Sequence, residues 1–115
     1  MPLKLDNKKF QLLGNSDHGS VFENTTFHYR QQNDIVTAMY KGGGVLGGQI
    51  LATWRSTEQL EMRYHYIMHN HSLKAEKAIA LVKENDDGLI ELHLDWKWLG
   101  DNIELGNSVY IEIIE

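Results

Sequence analysis

Along Gln59–His69, apolar and polar residues alternate with a period of two, and that pattern leaves one backbone conformation open. Leu60, Met62, Tyr64, Tyr66 and Met68 fall on one side; Glu61, Arg63, His65 and His69 fall on the other, with Ile67 the one exception. Successive side chains of a strand point to opposite faces, whereas a helix would scatter these residues around its circumference. Leu89–Trp98 repeats the pattern, with Ile90, Leu92, Leu94, Trp96 and Trp98 opposing Glu91, His93, Asp95 and Lys97. A sheet with one such apolar face must close on itself or pair with another sheet to hide that face from water. Ordinary burial turns the Met62/Tyr64/Tyr66 and Leu92/Leu94/Trp96 side inward.

Asp34–Trp54 reads as two strands around a glycine hinge. Ile35–Tyr40 is rich in β-branched and aromatic residues, and Ile50–Trp54 resumes the same character. Between them lie Gly42, Gly43, Gly44, Gly47 and Gly48, which permit a tight turn, a bulge or close backbone approach. Gly42-x-Gly44-x-x-Gly47 also matches a dinucleotide-binding fingerprint, with Glu61 near the acidic position. That fingerprint needs a helix after the glycines, and residues 49–54 leave room for little more than one turn. A β-turn with glycine bulges is the expectation.

The remaining segments fit a meander. Lys9–Leu13 suits a first strand, Gly14–Ser20 a loop, Val21–Gln32 a second strand and Ser108–Ile114 a last one. Asn85-Asp86-Asp87-Gly88 predicts a hairpin, with Asp-Gly as a type I′ pair. Residues 73–84 are ambiguous. Ala75, Ala78, Ile79 and Val82 have helical spacing, while the flanking strands favour another strand. The expected fold is all-β: an antiparallel up-and-down meander of about eight strands closing into a small barrel. A β-sandwich, or a barrel with a helix at 73–84, are the alternatives.

Composition narrows the function classes. A chain of 115 residues is expected to form one domain, 1–115. A net charge of −5 argues against nucleic acid, whose binding is largely phosphate neutralisation by Lys and Arg. The absence of cysteine excludes thiol catalysis and thiolate metal sites. No run reaches the roughly 18 apolar residues of a membrane helix, so no membrane partner is expected. Met1–Leu13 carries four lysines or acids and no apolar stretch, so no secretory leader is expected and the cytoplasm is the expected compartment.

Several motifs carry a family resemblance: Phe27-His28-Tyr29, Ala38-x-Tyr40-x-Gly42-Gly43, Gly48, Thr53, Leu60-x-Met62-Arg63-Tyr64, Gly88-x-Ile90-x-Leu92, Trp96-x-Trp98 and Gly106-x-Ser108. In order and spacing the chain resembles a family of small bacterial proteins named N-acetylglutamate synthase. The resemblance implies a β-barrel of the lipocalin or avidin-like kind. The family's name implies acetyl transfer.

The candidate ligand-binding residues are Tyr29, Tyr40, Tyr64, Trp96 and Trp98 as pocket walls, with Arg63 and His65 at the rim. Aromatic walls with polar tips suit a small ligand that is partly apolar or aromatic; the same rings also serve as plain core. His93-x-Asp95 has the spacing to orient a base, but no nucleophile is tied to it, so no catalytic residue is assigned. His65, His69 and His71 do not form a metal set because Asn70 and Ser72 mark a turn, and no cofactor is expected. The alternatives are a homodimer built on a filled barrel and, from the resemblance, an acetyl-transfer enzyme.

Overall fold

The structure is a computed structural model that describes residues 4–15, 25–98 and 105–114, the side chains at 14, 15 and 98 aside. Its strands are β1 (Lys8–Asn15), β2 (Thr26–Gln32), β3 (Ile35–Gly42), β4 (Val45–Trp54), β5 (Gln59–Met68), β6 (Leu73–Glu84), β7 (Ile90–Trp98) and β8 (Leu105–Ile113). Each pairs antiparallel with the next, and β8 returns to β1, so the sheet is a closed barrel. Closure removes both sheet edges and buries the whole apolar face.

Alternation sets what lies inside. Val36, Ala38 and Tyr40 of β3 are buried, as are Leu60, Met62, Tyr64 and Tyr66 of β5, and Ile90, Leu92, Leu94 and Trp96 of β7. The intervening Arg63, His65 and Asp95 are exposed, and Glu61, Lys77 and Lys97 are half-buried. This is the inverse of a membrane barrel, whose apolar band faces outward. Among the described residues no helix is long and apolar enough to cross a membrane.

Residues 73–84 form strand β6. Both neighbours offer long ladders, Gln59↔Leu81 through Ile67↔Leu73 and Glu76↔Trp98 through Glu84↔Ile90. Pairing on both sides outweighs the helical propensity of Ala, Glu and Lys. The Asn85–Gly88 turn differs from the expected type I′ pair. Gly88 alone in it has positive φ, at 80°, and its N–H donates to Asn85 O at 3.0 Å, while Asn85 N–H donates to Leu89 O at 2.8 Å. Asp87 stays out of the left-handed region, so one glycine after an ordinary turn closes the hairpin. Strand ends shift too. β1 extends through Gly14 and Asn15, β2 begins at Thr26, β7 begins at Ile90, and β8 spans Leu105–Ile113. The rest of the expected 14–20 loop, and Val21–Asn24 of the expected second strand, lie outside the described residues.

The glycine hinge divides its work. Gly42 and Gly43 take positive φ, at 111° and 59°, and make the β3–β4 turn. Leu46 is inserted in β4, since Val45 pairs with Met68 while Gly47 pairs with Ile67. This bulge resets the inward phase from Val45 to Gly48. The chain therefore runs from the hinge into a strand, not into the helix a dinucleotide site requires.

Gly48 lies opposite Tyr40, whose ring covers it: a Cβ there would overlap Cζ, Cε1 and Cε2 of that ring. The ring is also stacked on Phe27 at 4.5 Å between centroids. Gly48→Ala must displace it, and overpacking of this kind costs about 1–3 kcal/mol. Urea unfolding of Gly48→Ala should show a lower midpoint, while Gly47→Ala, which meets nothing within 4 Å, should leave the midpoint close to wild type.

Candidate functional site

The barrel interior is polarised along its axis. Near the Asn33–Asp34 turn the inward residues are mostly aliphatic or small: Val36, Ala52, Leu60, Ala80, Val82, Ile90 and Leu92, with fully buried Leu5 and Phe10 joining the core and the buried Glu112 carboxylate accepting from Ile90 N–H at 3.0 Å. Leu5 N–H donates to Gln31 Oε1 at 2.9 Å, and Gln31 N–H donates to Asp6 Oδ1 at 3.0 Å, which ties the N-terminal arm to β2. Toward the Gly43–Gly44 and His69–Ser72 turns, which the His69 ring joins through Gly43 O at 3.0 Å, the interior turns aromatic and polar.

Two cross-strand rows build that end. Phe27, Tyr40, Gly48 and Tyr66 stand side by side on β2–β5. Because Gly48 has no side chain, the Tyr40 and Tyr66 rings approach to 6.2 Å across it. Tyr29, Ala38, Ile50, Tyr64, Glu76 and Trp98 form the next row, on β2–β7. Tyr110 packs edge-on against Phe27 at 4.8 Å. Trp96 Nε1–H donates to Ser108 Oγ at 2.9 Å.

Glu76 is the central acceptor. It is 5% exposed, and Tyr66 donates its hydroxyl to Glu76 Oε2 at 3.0 Å. Burial, the Glu76 charge, the neighbouring Tyr110 and a hydrogen bond to Glu76 together push the Tyr64 hydroxyl well above its usual range. Tyr40 is pushed up by burial first and the Glu76 charge second. Its hydroxyl is buried and has no hydrogen-bond partner among the described residues. An unmatched buried hydroxyl costs about 1–3 kcal/mol. The Trp54 Nε1–H, at the other end of the barrel, is likewise buried with no hydrogen-bond partner among the described residues.

Of the seven residues that the sequence singles out, Tyr29, Tyr40, Tyr64 and Trp96 share the interior. Trp98 ends β7 in the Tyr64–Glu76 row, and its side chain lies outside the described residues. Arg63 and His65 flank Tyr64 in sequence and are exposed on the outer face, where Arg63 Nη1 donates to Met62 O at 3.1 Å and Nη2 meets Glu61 Oε2 at 3.4 Å. Tyr66, which the alternation already turns inward, completes the cluster together with Ser108 and with Glu76 and Tyr110, which the sequence does not mark as candidates. Glu76 was hidden by the helical spacing of 73–84; as a strand, that segment puts Glu76 in phase with Ala78, Ala80 and Val82.

The histidines lie elsewhere. His93 Nε2 meets Glu91 Oε1 at 2.9 Å rather than Asp95. Hydrogen bonds from Asn85 and then His93 hold the Glu91 carboxyl below its usual range. No group of three metal-ligating side chains occurs among the described residues.

Burial raises Tyr29, Tyr40, Tyr64 and Tyr110, in each case as the largest cause. The sign for stability follows. Above the unfolded value, about 10, the unfolded chain releases these protons and the barrel keeps them, so stability falls as pH rises. Each tyrosine contributes a slope of about 1.4 kcal/mol per pH unit above that point. Alkaline titration should therefore show tyrosinate absorbance rising together with loss of strand circular dichroism in one cooperative step. Tyrosine ionisation before unfolding would contradict this burial.

Comparison with known proteins adds one positive finding. The family model described as "Avidin-like protein" matches residues 3–113. No curated protein and no solved structure matches the chain. The match covers nearly the whole barrel, including both interior rows, and does not extend to the synthase resemblance. The chain belongs to the avidin-like protein family.

Proposed function

We propose that this protein is a non-enzymatic binding module, one domain over residues 1–115, that holds a small, partly apolar ligand in the aromatic end of its barrel. Family membership supports a small-molecule binding role, and eight-stranded barrels of the streptavidin and lipocalin kind hold one small ligand inside. The observation that carries the reading is the Tyr40 hydroxyl, buried without a partner among the described residues. It donates to an oxygen or nitrogen acceptor on the ligand. Glu76, an acceptor when ionised, receives an N–H or O–H from the ligand. Phe27, Trp96 and Tyr110 face the apolar body. The expected setting is the cytoplasm.

Biotin, the ligand of streptavidin-type barrels, is the first probe, followed by small amides and lactams titrated by tryptophan fluorescence and thermal shift. Tyr40→Phe separates this role from a structural one. Removing an unmatched buried hydroxyl leaves the free barrel equally or more stable, yet weakens the ligand by roughly 5- to 100-fold. A variant that loses stability and keeps its affinity would overturn the assignment.

A second reading rests on the outer face, where Ile35, Met39 and Leu51 of β3 and β4 are 55%, 65% and 61% exposed. Neighbouring apolar side chains of this size suit contact with another macromolecule. The two readings are compatible, since one uses the inside of the barrel and the other its outside.

A further inference from the structure

On the outer face the barrel aligns charges that are far apart in sequence. Arg63 pairs with Lys77, and Lys77 with Lys97, so three cations stand abreast on β5, β6 and β7. Two residues along the strands, Glu61 pairs with Ile79, and Ile79 with Asp95, so two carboxylates flank an isoleucine. Directly opposed like charges in a sheet destabilise it, and the cation row persists in a chain whose net charge is −5. Arg63 meets Glu61 at 3.4 Å, between side chains 54% and 42% exposed; such a pair is worth little. Among the described residues Lys77, Asp95 and Lys97 make no ion pair. Both rows line one groove, which continues onto Leu105 and Asn107 of β8. Neighbouring strands lie roughly 4.8 Å apart, and two residues along a strand span roughly 6.6 Å, so the whole pattern is the size of one small molecule.

We propose that this groove is a second binding site, for a small phosphate monoester that carries an amine. A phosphate over Lys77 lies between Arg63 and Lys97, where the guanidinium can take two of its oxygens and the lysines the others. An ammonium over Ile79 lies between Glu61 and Asp95. A short alkyl linker between the two groups rests on Ile79 and the Lys77 stem. Charge selects this class. Three cations and two carboxylates leave the groove with one net positive charge. A phosphate monoester dianion with one ammonium carries one net negative charge, so the complex is neutral. An amino acid, neutral overall, leaves one cation unmatched, and a phosphate without an amine leaves Glu61 and Asp95 beside its own negative charge. The bound phosphate also turns the opposed cations from a cost into an attraction. The site is on the outside of the barrel and is independent of the interior ligand.

Titration of the full chain with 2-aminoethyl phosphate and with ethyl phosphate tests it, followed by backbone amide chemical shifts at about pH 8, where the phosphate is a dianion. In wild type, 2-aminoethyl phosphate should shift amides at 61–63, 77–79 and 95–97 with a Kd of about 1 mM, and bind roughly 3- to 10-fold tighter than ethyl phosphate. Lys77→Gln should weaken both compounds by roughly 2- to 5-fold. Asp95→Asn should reduce the preference for the amine while holding ethyl phosphate at least as tightly. Absence of shifts in these strands at about ten times that Kd, equal affinity of wild type for the two compounds, or a preference unchanged in Asp95→Asn would each overturn the proposal. The wild-type shifts locate the site without any variant, so a variant that does not fold leaves the test intact. Vesicles of phosphatidylethanolamine separate a free compound from a lipid headgroup, whose phosphate is a diester with a single charge. The protein should stay unbound in flotation; binding to the vesicles without binding to 2-aminoethyl phosphate would overturn the assignment.

Discussion

The ladder between β1 and β8 is the constraint on which the rest of the structure depends. Each of the other ladders joins strands that are neighbours in sequence; this one brings the two ends of the chain together. Without it, Phe10, Tyr110 and the β5 and β7 faces would form one side of an open sheet in water. The contact is reinforced by charge. Lys8 Nζ donates to Glu112 Oε2 at 2.9 Å, and Ile90 N–H donates to the other oxygen of the same carboxylate at 3.0 Å, so one side chain links β1, β7 and β8. That carboxylate is 8% exposed at the residue level, where an ionic hydrogen bond is stronger than at the surface.

Closure creates an inside, and the residues on it are not uniform. Packing at one end is mostly aliphatic and rests on shape and volume, with the Glu112 carboxylate and the Trp54 indole as its polar members. The other end gathers tyrosines, Glu76 and Ser108, whose burial is costly unless their polar atoms are matched. Gly48 makes the gathering possible, because its missing side chain lets Tyr40 and Tyr66 share one row. Most of these polar atoms are matched within the chain: Tyr66 to Glu76 and Trp96 to Ser108. Among the described residues of this end, the Tyr40 hydroxyl is the exception, and the proposed binding role rests on it.

Much of this was legible in the sequence. Strict alternation along β5 and β7 specified both the strands and their inward faces, and the same alternation that turned Tyr64 inward turned Arg63 and His65 outward. Glu76 was not legible, because Ala75, Ala78, Ile79 and Val82 satisfy a helical period as well as they populate a strand. Only pairing with both neighbours decides between the two. The Asn85–Gly88 turn was placed correctly but given the wrong geometry, since Asp-Gly serves more than one turn type. Arg63, Lys77 and Lys97 were not legible as neighbours for a different reason: they sit on three strands, and only the register aligns them.

The proposed ligand sits in the aromatic end of the barrel, against Tyr40 and Glu76. A crystal structure of protein purified gently from its own host tests it most directly. The expected result is non-protein density inside the barrel, within hydrogen-bond distance of the Tyr40 hydroxyl and lying against Phe27 and Trp96. A side chain of the same chain, or an isolated water, satisfying that hydroxyl in an otherwise filled interior would contradict it.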